Sequence, residues 1–112
     1  MTINYEDRED NIRIITLDGR LDIPGTDEIA TKLAALSTNS QHPVILDLSA
    51  VSFLASIGIR ALVSNAKVMQ KQGGKLLLFV GNNEMVSKTL VVTGIDSLIP
   101  MFSDLESAIN AT

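Results

Sequence analysis

Residues 44–62 read VILDLSAVSFLASIGIRAL. The first five form a short, β-branched, apolar run bounded by Pro43 and Ser49, the pattern of a buried strand. From Ile59 the apolar positions continue at Leu62, Val63, Ala66 and Met69, which is one face of an amphipathic helix. Between strand and helix stands a lone hydroxyl, Ser56, with Gly58 two places on. A strand that feeds a helix this directly belongs to an alternating α/β chain, and the flanking sequence repeats the alternation.

Downstream, Gly73-Gly74 is a helix stop, and KLLLFV (75–80) reads as a second buried strand. Asn83 is a helix N-cap, Val86 and Leu90 form the stripe of the helix it starts, and Gly94 closes that helix. SLIPMF (97–102) holds a short edge strand interrupted by Pro100. Ser103 and Glu106 form a capping box for a last helix with Leu105, Ala108 and Ile109 on one face.

Upstream, Ile3 and Tyr5 alternate with polar residues, EDREDN (6–11) breaks the pattern, and Ile12, Ile14 and IITL resume it. This predicts a hairpin, with Asp18-Gly19 as a turn or bulge signal. A short extended piece ends at Pro24-Gly25. Thr26 is then read as the N-cap of a helix with Asp27 and Glu28 in its first turn and Ile29, Ala30, Leu33 and Leu36 as its stripe. STNSQHP (37–43) breaks that helix. The expected architecture is a single domain over residues 1–112, an α/β fold with a mixed sheet of four to five strands and about four helices.

Composition limits the function. The chain has 112 residues, 46% hydrophobic and 20% charged, enough for a real core. Thirteen acids against nine bases give a net charge of −4, which argues against a general nucleic-acid or anionic-membrane binder. There is no cysteine, so disulfides and cysteine-ligated metals are excluded. No apolar run approaches a membrane span and the start, MTINYEDRED, is not a secretory signal, so a cytoplasmic protein is expected.

Ser56 has three readings. As an N-cap, its Oγ accepts from the backbone N–H of Gly58 or Ile59, a role worth about 1 kcal/mol. As a nucleophile it needs a base, but the only histidine, His42, precedes the strand that Ser56 follows, placing the two about 16 Å apart at ~3.3 Å per residue. Lys67 and Lys71 lie turns away along the helix, and LASIG lacks the first glycine of a nucleophile elbow. As a phosphorylation site, Ser56 sits where backbone N–H groups and the helix dipole tolerate an anion, while the added charge of about −1.5 to −2 blocks an apolar docking surface. That switch needs no catalytic residue in this chain. Asp22 and Asp47 do not make a metal site, since no histidine, cysteine or further acid joins them; Asp22 also reads as a turn residue and Asp47 as a carboxylate satisfied by its loop. Arg60, Ser64, Lys67 and Lys71, at i, i+4, i+7 and i+11, read as a solvated helix face in preference to a stripe for an acidic partner.

VILDLSAVSFLASIGIRAL resembles the signature of STAS domains, the family of bacterial anti-sigma factor antagonists, and LDGRLDIPGTDEI (17–29) is similar to that family's strand-turn-helix segment. The resemblance implies a non-enzymatic partner switch without cofactors. In it a kinase-type anti-sigma factor phosphorylates one serine at the start of the second helix, matched by Ser56, and a phosphatase resets it. Gly58 matches the glycine of the motif and Asp22 an acidic residue beside the serine. The sequence departs from the family's common pattern at Ala55, where an aspartate is usual, and at Ile57, where a hydroxyl residue is common. The partner surface so implied comprises Asp22, Ile23, Pro24, Gly25, Leu54, Ala55, Ser56, Ile57, Gly58 and Arg60. The alternative is a STAS interaction subunit of a signalling or lipid-transport assembly that uses this surface without phosphorylation.

Overall fold

The computed structural model describes residues 1–38 and 42–112. β1 (Thr2–Asp7) and β2 (Arg13–Leu21) form the expected antiparallel hairpin. α1 (Ile23–Thr38), β3 (Val44–Leu54), α2 (Ser56–Lys71), β4 (Leu76–Phe79), α3 (Glu84–Val92), a 3-10 turn at Ile95–Ser97, β5 (Met101–Phe102) and α4 (Leu105–Asn110) follow. The five strands form one mixed sheet in chain order, antiparallel between β1 and β2 and parallel from β2 to β5. The break read over residues 37–43 falls partly outside the described residues; Ser37 and Thr38 still belong to α1.

The unbroken apolar runs of β3 and β4 follow from a sheet covered on both faces. Val44, Leu46 and Leu48 pack with Leu76 and Leu78 into the main core under α1, α2 and α3, which contribute Ile29, Leu33, Leu62, Ala66, Met69, Val86 and Leu90. Ile45 and Leu77 point the other way and meet Ile12, Leu105, Ala108 and Ile109 around α4. Successive strand residues thus serve opposite cores, and each fully buried Leu or Ile contributes about 1.5–3 kcal/mol.

β3 is longer than the five-residue run VILDL. Its eleven residues face the nine of β2, and the surplus is taken up by two register shifts, between Thr16 and Asp18 and between Gly19 and Arg20 on the β2 side. The extra residues destroy strict alternation after Leu48, which hid the second half of the strand. Asn83 braces this irregular stretch. Its Nδ2 donates to the carbonyls of Leu48, Ser49 and Val51 at 3.3, 3.2 and 2.7 Å, while its Oδ1 accepts from Val86 N as the cap of α3. Asp47, as read, is satisfied locally: its Oδ1 accepts from the backbone N–H and the hydroxyl of Ser49.

Three helix starts differ from the sequence reading. α1 begins three residues before Thr26. Asp22 caps it, its Oδ1 accepting from Gly25 N at 2.8 Å and its backbone carbonyl from Thr26 N at 2.9 Å. Pro24 and Gly25 are therefore the first turn of a helix rather than the end of a strand, since proline is tolerated where no N–H is needed. Asp27 and Glu28 fall outside that first turn, and Thr26 is buried within the helix. α4 is capped by Asp104, which accepts from Ser107 N, so the Ser103–Glu106 box is shifted by one residue. The third difference concerns Ser56.

Candidate functional site

β2 and β3 end side by side. Leu21 pairs with Leu54, and Leu21 O accepts from Ala55 N at 3.0 Å, one step beyond the last residue of the strand. Each strand then passes into a helix. The N-termini of α1 and α2 emerge together at the carboxyl edge of the sheet, where open α/β sheets place their binding surfaces.

Ser56 is the first residue of α2, and Ala55 occupies the N-cap position with φ −88° and ψ 167° and no side-chain cap bond. The cap reading of Ser56 is therefore corrected. Ala55 keeps its strand conformation because its N–H still belongs to the ladder, so the boundary falls one residue earlier. The Ser56 side chain is exposed and makes no cap.

Two glycines hold this edge tightly. A Cβ on Gly25 would lie 1.9 Å from the backbone oxygen of Arg20 and 2.9 Å from Asp22 Oδ1. A Cβ on Gly58 would lie 3.0 Å from Leu21 Cβ, 3.1 Å from Leu21 O and 3.2 Å from Leu54 Cδ1. Gly25 thus seats α1 on the end of β2 at a distance that only glycine permits, and Gly58 seats α2 at contacts that a Cβ would have to push apart slightly.

Of the residues read as partner contacts, Ile23, Pro24, Ser56 and Arg60 are exposed, and Asp22, Ala55 and Ile57 are partly exposed. Gly25, Leu54 and Gly58 are buried. These three shape the surface from beneath and present little of themselves to a partner. Ile23 is 65% exposed although it is a large aliphatic side chain at a helix start. Nothing in its own helix requires it there.

Two residues that the sequence reading did not single out complete the patch. Phe53, opposite Arg20 in the ladder, is 40% exposed. The Arg20 guanidinium carbon lies 4.4 Å from the centre of its ring, a cation–π contact. Arg20 Nε also donates to Asp22 Oδ2 at 3.1 Å. The available signal was the Arg20-x-Asp22 spacing, which puts both on one side of a strand. The Gly25 N–H bond, with Arg20 in support, holds the Asp22 carboxyl below its ordinary pKa.

None of the bases weighed for the exposed Ser56 hydroxyl stands beside it. His42 precedes β3 and Ser56 follows it, so the whole eleven-residue strand separates them. Lys67 lies about three turns along α2. Among the described residues, no cluster of histidine and acidic side chains is arranged to hold a metal ion, and no helix is long and apolar enough to cross a membrane.

Comparison with known proteins fits this architecture. An anti-sigma-B factor antagonist of Staphylococcus epidermidis is 26% identical over 100 residues, spanning 88% of this chain and 92% of that protein. The crystal structure of an anti-sigma factor antagonist from Mycobacterium paratuberculosis superimposes with a TM-score of 0.87 at 24% identity, covering 98% of this chain and 92% of that one. The Bacillus cell fate determinant SpoIIAA in its phosphorylated form superimposes with a TM-score of 0.69 at 17% identity, covering 99% of this chain and 100% of that one. The STAS domain family matches residues 5–108. With that match running from β1 into α4, the chain belongs to the STAS domain family.

Proposed function

We propose that this protein is an anti-sigma factor antagonist that works by partner switching in the cytoplasm. The unphosphorylated form docks on a kinase-type anti-sigma factor through Ile23, Pro24, Phe53, Ser56, Ile57 and Arg60, and phosphorylation of Ser56 releases it. A phosphatase restores the binding form. The reading is supported by relatives that bear the antagonist name and by a fold neighbour that exists in a phosphorylated form. The observation that carries it is the exposed Ser56 at the start of α2, on the sheet edge that also carries the exposed apolar side chains of Ile23 and Phe53. A phosphate there replaces a small neutral group with about two negative charges inside an apolar contact, which costs both desolvation and repulsion.

The test compares three proteins. Ser56→Ala should bind the anti-sigma factor constitutively, while Ser56→Asp and Ser56→Glu should not. Incubation with that kinase and ATP should add one phosphate by mass, and the addition should vanish in Ser56→Ala. Equal affinity of all three for the partner would end the switch reading.

A second reading has an observation of its own. Ala55 and Ile57 make the surroundings of the hydroxyl apolar. A STAS subunit that docks by this surface in a signalling or lipid-transport assembly would need no phosphate. Stable partner binding with no phosphate incorporated at Ser56 would favour it.

A further inference from the structure

Arg20 is held in an unusual way for a surface arginine. Its guanidinium stacks on Phe53 at 4.4 Å and its Nε is engaged by Asp22 at 3.1 Å, yet its side chain remains 60% exposed. A guanidinium carries five N–H donors. Asp22 uses the one on Nε; among the described residues the two terminal nitrogens, Nη1 and Nη2, have no hydrogen-bond partner. The result is a planar donor fork, oriented in advance by an aromatic face and a carboxylate, with its open end unoccupied. Arginine forks of this kind match carboxylate and phosphate oxygens bidentately.

The strand ends bring Asp22, the carboxylate that holds this fork, near Ser56. Leu21 pairs with Leu54 and Ala55 N bonds Leu21 O, so Asp22 stands beside Ala55 where the ladder stops. Neighbouring strands are about 4.8 Å apart and consecutive Cα atoms about 3.8 Å apart, so the Ser56 Cα lies within about 9 Å of that of Asp22. The Arg20 side chain already reaches Asp22.

We propose that Arg20 is the intramolecular receptor of the Ser56 phosphate: its terminal nitrogens take the phosphate oxygens, and its bond to Asp22 weakens or breaks in exchange. The proposal deepens the partner-switch reading and rests on Ser56 being the modified residue. The exchange is favoured by charge, since a phosphate of about −1.5 to −2 competes with a single carboxylate. It also changes the docking surface itself. The cation over Phe53 turns towards the phosphate, and Asp22 keeps only its cap bond to Gly25. Phosphorylation then removes an arginine from the partner as well as adding charge. Arg60 is the competing receptor. It lies four residues along α2 from Ser56, at the spacing of a helix ion pair, but among the described residues no aromatic ring lies under its guanidinium as Phe53 lies under that of Arg20.

The test does not need the natural kinase. Phosphoserine is installed at position 56 by stop-codon suppression, and its second ionisation is followed by phosphorus NMR in the full chain. Arg20 and Asp22 across the ladder and Arg60 one turn along α2 are the charged groups expected to act on it. With Arg20 engaged, the second pKa should fall below the usual value of about 6. Arg20→Ala should raise it by about half a unit or more, Arg20→Lys should restore part of the shift, and Arg60→Ala should leave it nearly unchanged. Arg20 is a surface residue, and circular dichroism checks that each variant folds. Identical titrations in wild type and Arg20→Ala would overturn the proposal, as would a larger shift from Arg60→Ala. If the kinase never modifies Ser56 while the installed phosphate behaves as expected, the functional reading falls and the receptor stands.

Discussion

Gly25→Ala tests whether the carboxyl edge is built as described, and its size can be worked out. The added Cβ would meet the backbone oxygen of Arg20 at 1.9 Å, a distance no rotamer change relieves, because the obstacle is main chain at the end of β2. Either α1 moves away from β2 or the strand end bends. Overpacking of this sort costs about 1–3 kcal/mol, and the value here belongs near the top of that range. The movement also pulls Gly25 N from Asp22 Oδ1, forfeiting a cap worth about 1 kcal/mol. Against these stands the better helix propensity of alanine, up to about 1 kcal/mol. The net loss is about 2–3 kcal/mol. For a domain of this length an unfolding entropy of about 2.1 cal/mol/K per residue turns each kcal/mol into about 4 °C, so Tm should fall by about 8–12 °C. Thermal unfolding followed by circular dichroism measures it, with urea denaturation to confirm an unchanged m-value. Gly58→Ala is the companion. Its Cβ meets side-chain carbons and one carbonyl at 3.0–3.2 Å, so the neighbours need give only slightly and the loss should be clearly smaller. A Gly25→Ala protein melting within about 2 °C of wild type would refute this account of the α1 start.

Asn83→Asp separates the two jobs of that side chain: it keeps the acceptor that caps α3 but sets a carboxylate against the carbonyls of Leu48, Ser49 and Val51. A loss of about 2–3 kcal/mol in urea is expected, and a variant as stable as wild type would show that the brace on β3 is unimportant. Asp22 contributes to acid stability with a defined sign. Its folded pKa is lowered, so its contribution is complete above the ordinary carboxylate value near 3.8 and is lost as pH falls through the lower folded value. Asp22→Asn should therefore be less stable at neutral pH and show a flatter acid limb, the two curves converging at low pH; parallel curves from pH 7 to pH 2 in urea would contradict it.

The sequence carried the alternation of strands and helices, the apolar runs and stripes that fill the core and most helix stops, because each rests on local periodicity or on a glycine with one conformation to supply. Gly94, for instance, closes the α3 region at φ 76°. What it did not carry were features set across strands. VILDL looked like a five-residue strand because bulges place adjacent exposed residues at Ser49-Ala50 and Ser52-Phe53, and only pairing with β2 restores the strand. Pro24-Gly25 looked like a stop because both residues usually are one; here glycine is required by the closeness of Arg20 O, which no single-segment pattern reports. The candidate site was read from Ser56, Gly58 and Asp22, which the structure places at adjoining strand ends, whereas Arg20 and Phe53 came together only through the register of β2 on β3.

The one-residue correction at α2 bears directly on what Ser56 can do. A serine at the N-cap spends its oxygen on the backbone, accepting from the second or third N–H of the helix. A phosphate placed there would have to break that bond and would trade one cap for another. At the first helical position the oxygen has no such duty, since Ala55 supplies the extended residue and the ladder bond to Leu21 O holds it. Gly58, one turn into the helix, presses against Leu21 and Leu54 and fixes the start of α2 in place. The hydroxyl is thus chemically uncommitted while the backbone beneath it is firmly set. On the proposed reading this separates two requirements that would otherwise conflict: a modification can change the surface without unfolding the helix that displays it. The apolar Ala55, an apparent departure from the family's common aspartate, then has a physical consequence. It leaves Arg20 of β2 and Asp22, the cap of α1, as the charges on that edge across the ladder, with Arg60 the competing charge on α2 itself, so on the proposed reading the phosphate is taken by Arg20.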